Sequence, residues 1–292
     1  MGDTCAGQVA LVTGASQGGT GTVVAVRLAA EGAKVAITAR SVDGLEATRQ
    51  RIEGAGGTCL VLPADLTDPN GARTELVART EAELGPVDIL VNNAAVGGYA
   101  PFEEVSPAHL ERCLQVNLWA PWELMKSVVP GMRERGRGWI LNLSTFSAEL
   151  PPGPPFPGNR PSKSGFAYGS TKAALNRLIV AVASECEGQG IAVNALSPQA
   201  AIATPNLVAG GWIDDEMFEP LETMAEAALA LCSGTLTGRL AFSLQLLVEL
   251  GRPVRDLAGD ALVEGWQPAD LPPVIARQEA NLAARGWPDA YT

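Results

Sequence analysis

Short apolar runs alternate with longer helical segments over the first two thirds of the chain, and this alternation constrains the fold more than any other feature. Six runs are predicted as strands, at 8–13, 34–39, 58–64, 87–94, 138–144 and 191–197. Helices are predicted between them at 23–32, 42–53, 69–84, 106–133 and 167–187. Strands separated by helices of this length indicate βαβ units. We therefore predict an α/β protein with a Rossmann-type, doubly wound parallel sheet.

Two segments depart from this rhythm. Residues 151–165 contain six prolines and three glycines, which predicts a long loop. Beyond the sixth strand, a mixed segment at 199–220 precedes a predicted helix at 224–232 and a predicted last strand at 236–244. The remaining residues are rich in proline and predict an extended tail packed on the body. The expected organisation is a single domain at 1–244 with a C-terminal extension at 245–292.

Charge and cysteine content narrow the function classes. The chain has 21 Lys and Arg against 32 Asp and Glu, a net charge of -11, which disfavours binding to nucleic acid or to anionic lipid. No apolar run approaches the ~18 residues of a membrane span, and the N-terminus does not resemble a secretion signal. Five scattered cysteines and the single His109 predict neither a metal site nor disulfides. We expect a cytoplasmic protein.

A glycine-rich stretch, TGASQGGTG at 13–21, lies between the first predicted strand and the first helix. Glycine allows the backbone to turn sharply and to approach a phosphate, while a helix N-terminus offers unpaired N–H groups and a positive dipole end. The stretch therefore favours a dinucleotide site. A tight strand-to-helix turn without a ligand is the alternative.

Tyr168 and Lys172, in YGSTK, are four residues apart at the start of a predicted helix. This spacing places both side chains on one helix face. An ammonium group beside a phenol favours the phenolate and lowers the tyrosine pKa, which suits proton transfer. An exposed helix face is the alternative for the pair taken alone.

Several further pieces follow in a fixed order. They are AD at 64–65, NNAA at 92–95, Asn117 in QVNLW, ILNLST at 140–145, NALSP at 194–198 and LTGR at 236–239. Together with the glycine-rich stretch and YGSTK, they resemble the classical short-chain dehydrogenase/reductase (SDR) family over roughly residues 8–244. The tail beyond 244 is not covered.

The resemblance implies roles for individual residues. Tyr168 is the expected acid/base towards a substrate carbonyl or carbinol, and Lys172 is expected to lower its pKa and to hold the nicotinamide ribose. Asn117 is expected to support a water that relays protons to Lys172. The expected cofactor-binding residues are Gly14, Ser16, Gln17, Gly18, Gly19, Gly21, Arg40, Asp65, Leu66, Asn93, Ala94, Tyr168, Lys172 and Pro198.

The glycine spacing departs from the family pattern by one extra residue. Either Gly18 keeps its role and the helix starts late, or Gly19-Thr20-Gly21 is the shifted G-x-G. Which amides meet the pyrophosphate stays open at this point.

The catalytic hydroxyl also departs from the pattern. Thr145 occupies the position of the usual serine, and Ser144 and Ser147 are the alternatives. The 23 residues from Thr145 to Tyr168 exceed the family spacing because of the proline-rich segment. We expect this segment beside the catalytic centre, where it shapes the substrate pocket or a subunit contact. The segment at 199–220 is expected to be a substrate lid.

The end of the second strand bears on the choice of cofactor. NAD enzymes place Asp or Glu there to bind the ribose 2′-OH, whereas this chain has Ala39 followed by Arg40. Arginine pairs well with a phosphate, so NADP(H) is the expected cofactor, with NAD(H) as the alternative. Gln17 weakens this argument because many NADP enzymes carry a basic residue at that position.

The expected function is that of an NAD(P)-dependent oxidoreductase acting on an alcohol or ketone, with an apolar small-molecule substrate. The alternatives are a catalytically impaired dinucleotide-binding sensor or scaffold, and a dehydratase or epimerase on the same fold. The family also predicts a homotetramer, or a homodimer, formed through the helices that carry Asn117 and Tyr168. The apolar residues expected at that contact are Leu118, Trp119, Trp122, Leu124, Leu175, Leu178, Ile179 and Val182.

Overall fold

The computed structural model describes residues 2–16, 18–98, 101–150, 153, 165–211 and 214–284. Its strands are β1 (Val9–Thr13), β2 (Lys34–Thr38), β3 (Thr58–Val61), β4 (Ile89–Asn92), β5 (Gly138–Leu143), β6 (Ile191–Ser197), β7 (Ala201–Ile202), β8 (Phe218–Glu219) and β9 (Leu240–Phe242). Seven of these form one parallel sheet in the order β3-β2-β1-β4-β5-β6-β9, and β7 pairs with β8. The predicted doubly wound α/β sheet is confirmed.

Ten α-helices connect the strands within the described ranges. They are α1 (Thr20–Ala30), α2 (Val42–Gly54), α3 (Leu76–Leu84), α4 (Pro107–Leu114), α5 (Ala120–Arg135), α6 (Phe166–Glu185), α7 (Pro205–Gly210), α8 (Leu221–Ser233), α9 (Ser243–Glu249) and α10 (Leu271–Ala284).

The two faces of the sheet belong to two separate apolar cores. Every residue of β1 is buried, as its continuous apolar sequence requires when helices cover both faces. Val12 packs with Leu28 of α1 on one face. Leu11 packs with Leu175 of α6 on the other. Successive strand residues point to opposite faces, so both cores depend on the same register.

The predicted helix at 106–133 is divided in the structure. A π-helical turn at Gln115–Trp119 separates α4 from α5. Pro121 lies in the first turn of α5, where its missing N–H costs little, and Pro130 lies inside the helix without ending it. π-turns of this kind are frequent at functional sites, and this one contains Asn117.

The end of the chain differs most from expectation. The last strand is only Leu240–Phe242, and α9 begins at Ser243. The tail is not extended throughout, because residues 271–284 form α10. Pro272 and Pro273 belong to the proline content that predicts an extended tail. Both fall in the first turn of α10, where proline is tolerated. The apolar positions of α10 follow a helical period, and Leu271 joins the same core as β1.

A division of the chain at residue 244 stays a prediction. Val254, beyond that residue, also packs in the core shared with β1. Residues 151–152 and 154–164 of the predicted proline-rich loop lie outside the described residues. The segment at 199–220 contains β7, α7 and β8. No helix within the described ranges is long and apolar enough to cross a membrane.

The residues expected at a subunit contact divide into two groups. Leu124, Leu175 and Ile179 are at most 3% exposed and belong to the core of the chain itself, so their assignment to an exposed contact surface was wrong. These side chains lie on the faces of α5 and α6 that pack against the sheet. Trp119 and Trp122 are 45% and 38% exposed and remain available at the surface.

Candidate active site

A cleft of about 850 Å³ opens where the carboxyl ends of β1, β2, β3 and β4 meet. Ligands of open α/β sheets bind at this edge, at the point where the strand order reverses. The reversal here lies between β1 and β4, which pair in parallel. Expected cofactor-binding residues among its walls are Gly14, Ser16, Gly19, Gly21, Arg40, Asp65, Leu66, Asn93 and Ala94.

The glycine-rich turn packs tightly at two of its glycines. Gly14 has φ +71°, and a Cβ there would lie 2.8 Å from Ala94 Cα. A Cβ on Gly21 would lie 2.6 Å from Gly14 O, so α1 can approach the strand only with glycine at this position. These are the turn and helix-packing roles that glycine fills in a dinucleotide-binding loop.

Gly18 and Gly19 are less crowded. Gly19 is the N-cap of α1, and its Cβ would lie 3.5 Å from Thr204, an ordinary contact. Gly18 has φ +69°, and its N–H donates to Thr22 Oγ1 at 3.2 Å. The helix begins at Thr20, which both alternatives for the glycine spacing allow, so the choice between them stays a prediction. Gln17 lies outside the described residues.

Thr13 joins the two central strands, a role that the sequence did not reveal. Its Oγ1 accepts the N–H groups of Asn93 and Ala94, each at 3.0 Å. Asn93 Nδ2 in turn donates to Thr13 O at 2.8 Å. The available signal was a polar residue that ends a continuous apolar strand and is 1% exposed.

Arg40 and Asp65 lie at the opposite end of the cleft, after β2 and β3. Arg40 is exposed, and Ser41 beside it caps α2 by accepting the Gly44 N–H at 3.1 Å. Asp65 Oδ1 accepts the N–H of Thr67 at 2.9 Å. This hydrogen bond, with a smaller contribution from Arg40, lowers the pKa of Asp65, so its carboxylate is ionised at neutral pH.

Tyr168 and Lys172 lie on the first turns of α6. Lys172 Nζ is 5.9 Å from the centroid of the Tyr168 ring and donates to Leu143 O at 2.6 Å. Lys172 is 1% exposed, and burial lowers its pKa to about 8. A buried lysine with its pKa near the working range is typical of a functional site.

Asn117 is fully buried in the π-turn and links the cleft to α6. Its Oδ1 accepts the Val96 N–H at 2.8 Å, and its Nδ2 donates to Val96 O at 2.9 Å and Thr171 Oγ1 at 3.0 Å. Thr171 Oγ1 donates to Tyr168 O at 2.8 Å. Val96 lines the cleft, so Asn117 connects the cleft wall to the helix of Tyr168. The position of Thr171 in this chain of contacts was not foreseen.

Three hydroxyl groups follow β5 and differ in their partners. Ser144 Oγ donates to Asn176 Oδ1 at 2.7 Å, which occupies its proton. Ser147 Oγ is buried without a hydrogen-bond partner among the described residues. Thr145 Oγ1 accepts the Ser147 N–H at 3.2 Å, which leaves its own proton for another acceptor. Of the three candidates, only Ser144 has its proton occupied, so Thr145 and Ser147 both remain candidate hydrogen-bond donors to a ligand.

Not every expected site residue lines the same cavity. Among the described residues, Asn117, Ser144, Thr145, Tyr168, Lys172 and Pro198 are not walls of the cleft. Pro198 is half-buried directly after β6. Residues beyond it, Thr204, Pro205 and Leu207, do line the cleft. The described residues contain no group of three His, Cys, Asp or Glu that could hold a metal ion.

Gly21, which is crowded, and Gly19, which is not, allow a direct test of the packing. Gly21→Ala is expected to lower the free energy of unfolding by about 1–3 kcal/mol because its Cβ overlaps Gly14 O. Gly19→Ala, the matched control, is expected to cost less than about 1 kcal/mol. Urea unfolding measures both. Equal losses would show that Gly21 does not sit at the tight contact.

Comparison with known proteins gives the family. A model of the short chain dehydrogenase family matches residues 8–209. A short chain dehydrogenase of Pseudocercospora fijiensis is 35% identical over 66% of this chain and 59% of its own length. Gluconate 5-dehydrogenase of Gluconobacter oxydans is 32% identical over 80% of this chain and 82% of its own length.

Solved structures agree. The structure of 3-oxoacyl (acyl-carrier-protein) reductase from Agrobacterium tumefaciens C58, with NADP bound, superimposes with a TM-score of 0.72 at 31% identity. It covers 82% of this chain and 93% of that one. The residues that the family model matches include the glycine turn and the Tyr168–Lys172 pair. The chain therefore belongs to the short-chain dehydrogenase/reductase family.

Proposed function

We propose that this protein transfers a hydride between NADP(H) and the carbonyl or carbinol carbon of a small alcohol or ketone. The observation that carries the proposal is the connection of two sites. Asn117 links the wall of a large cleft, through Val96, to the helix of Tyr168 and the buried Lys172. Burial of the Lys172 charge costs free energy, and a buried lysine beside a tyrosine is typical of a functional site.

The cleft suits a dinucleotide in size and chemistry. Its volume of about 850 Å³ is within the range of ligand pockets. The N-terminus of α1, at Gly19 and Thr20, offers backbone N–H groups and a positive dipole end for a pyrophosphate. Asp65 is placed for the adenine amino group and Arg40 for a 2′-phosphate, with Leu66, Asn93 and Ala94 lining the adenosine side.

Proton transfer is assigned to residues of α6 and β5. When bound, the nicotinamide supplies or accepts the hydride at the substrate carbon. In reduction, Tyr168 donates its phenolic proton to the carbonyl oxygen, while Thr145 donates a hydrogen bond to the same oxygen. In oxidation, Tyr168 takes the proton back. Lys172 favours the phenolate, and the proposed relay passes protons to Lys172 through a water supported by Asn117.

The protonation of Lys172 limits this mechanism. Burial lowers its pKa to about 8, so the ammonium form is fully present only below that value. Its bond to Leu143 O holds the ammonium group in place. The electrostatic support for the Tyr168 phenolate is therefore expected to weaken as the pH rises through about 8.

The substrate is proposed to be apolar and the location cytoplasmic. Phe146, next to Thr145, packs with Ala200 and Met217, so the surroundings of the reacting hydroxyl are apolar. All five cysteines are unpaired thiols, and four of them are buried, which fits a reducing compartment.

Replacement of the Tyr168 hydroxyl tests the proton transfer. Tyr168→Phe is expected to lower kcat for ketone reduction by about 10²–10⁴-fold while NADPH binding stays close to that of the wild type. Absorbance of the reduced cofactor measures turnover across a panel of ketones. More than half of the wild-type turnover in Tyr168→Phe would exclude this residue as the acid. Cofactor binding without turnover in the wild type would instead favour a sensor, dehydratase or epimerase.

Removal of the Arg40 side chain tests the choice of cofactor. Arg40→Ala is expected to weaken NADPH binding by roughly 1.5–3 kcal/mol, the contribution of a hydrogen bond to a charged group, with little effect on NADH. Fluorescence titration of both cofactors gives the two affinities. An equal loss for NADH and NADPH contradicts a contact between Arg40 and the 2′-phosphate.

A homotetramer, or a homodimer, is proposed through the outer faces of α5 and α6. Trp119 and Trp122 form an exposed edge-to-face pair with ring centroids 5.7 Å apart, and Val180 on α6 is 40% exposed. Exposed aromatic side chains clustered in this way are typical of interfaces.

Light scattering at micromolar concentration measures the assembly. The expected mass is about two or four times the 30.3 kDa of one chain, and Trp119→Asp is expected to lower it. Val248→Asp is the control, because Val248 is 37% exposed and lies on α9, away from the tryptophan pair in sequence. A single-chain mass at every concentration contradicts oligomerisation.

A further inference from the structure

We propose that α10 is a specificity-determining element: through Gln278 and Leu282 it fixes the 214–219 segment against Phe146 and thereby limits the size of the group that the substrate can place there. This inference rests on the proposed function for its substrate. It adds to that function a wall built from the C-terminal part of the chain.

The chain between β6 and α8 leaves the sheet at the edge of the site and returns to it. Its outgoing part contributes Thr204, Pro205 and Leu207 to the cleft. Its returning part is the 214–219 segment, with a 3-10 turn at Asp215–Met217 followed by β8. What holds the returning part therefore affects the geometry of the site.

Glu219 joins the two ends of the chain segment between β6 and α8. Its fully buried carboxylate accepts the Gln199 N–H at 2.7 Å, Thr223 Oγ1 at 2.6 Å and Ser243 Oγ at 2.7 Å. Its carbonyl accepts the Ala203 N–H at 3.1 Å. These bonds fix the two ends of this segment to α8 and α9, and none of them involves α10.

Met217, two residues earlier, is held by α10 instead. Gln278 is 0% exposed, and its Nε2 donates to Met217 O at 3.2 Å. One helical turn further, Leu282 is 4% exposed and packs with Met217 and Ala200. Phe146 packs against the same three residues. Since Phe146 follows Thr145 directly, this apolar cluster reaches the residue proposed to contact the substrate oxygen.

Contacts outside this apolar cluster also anchor α10. Leu271 is 0% exposed in the main core, and Gln245 of α9 donates to Glu279 Oε1 at 3.2 Å. The helix is therefore a fixed support rather than a loose tail. Shortening Leu282 is expected to leave α10 in place and to open space beside Phe146.

Substrate size gives the first test. The probes are 2-butanone and 2-octanone, each assayed with saturating NADPH. Leu282→Ala is expected to raise the ratio of kcat/KM for 2-octanone over 2-butanone by at least about tenfold, with the KM for NADPH changed less than about twofold. Leu282→Val serves if Leu282→Ala unfolds, with a smaller change in the same direction. Arg277→Ala, at an exposed position of α10, is the control. An unchanged ratio in a folded Leu282 variant overturns the proposal.

Hydrogen exchange gives a second test that needs no turnover. Gln278→Met keeps the side-chain volume but removes the bond to Met217 O, so amides in 214–219 are expected to exchange about tenfold faster, the equivalent of one hydrogen bond. Amides of β6 are expected to keep their rates. Unchanged exchange in 214–219 overturns the proposal even if no ketone is reduced. If no ketone is reduced but the amides in 214–219 exchange faster in Gln278→Met, the proposed function is rejected and the support of this segment by α10 is retained.

Discussion

The pairing of β1 with β4 is the constraint on which the site depends. These strands are adjacent in the sheet although β2 and β3 come between them in sequence, so the helices after them turn away to opposite sides. Their carboxyl ends are joined by Thr13 Oγ1, which accepts two N–H groups of the chain after β4. This contact brings the glycine turn and Asn93 together and opens the cleft beside them. Gly21 permits α1 to start there.

The reacting groups are placed by contacts that join distant parts of the chain. Asn117 belongs to a π-turn and bonds Thr171 of α6, and Ser144 bonds Asn176 of the same helix. Lys172 is buried and bonded to Leu143 O at the end of β5. A buried ammonium group opposes folding, and its position beside Tyr168 is typical of a functional site.

The sequence was sufficient where a local pattern decides the structure. Continuous apolar runs predicted the six strands from β1 to β6, and the order of motifs predicted the family. Local pattern failed for α10, because the proline content predicts an extended tail although Pro272 and Pro273 lie in the first turn of the helix. It also assigned Leu175 and Ile179 to a contact surface, although both face the sheet. The hydroxyl groups of Ser144 and Thr145 could not be distinguished before the partner of each was known, since Asn176 is 32 positions from Ser144.

A crystal structure of the chain with NADP⁺ bound would locate the cofactor. The pyrophosphate is expected at Gly19 and Thr20, the 2′-phosphate within hydrogen-bond distance of Arg40, and the nicotinamide ring between Pro198 and the Tyr168 hydroxyl. A cofactor bound away from the α1 N-terminus, or a nicotinamide ring out of reach of Tyr168, would contradict this placement.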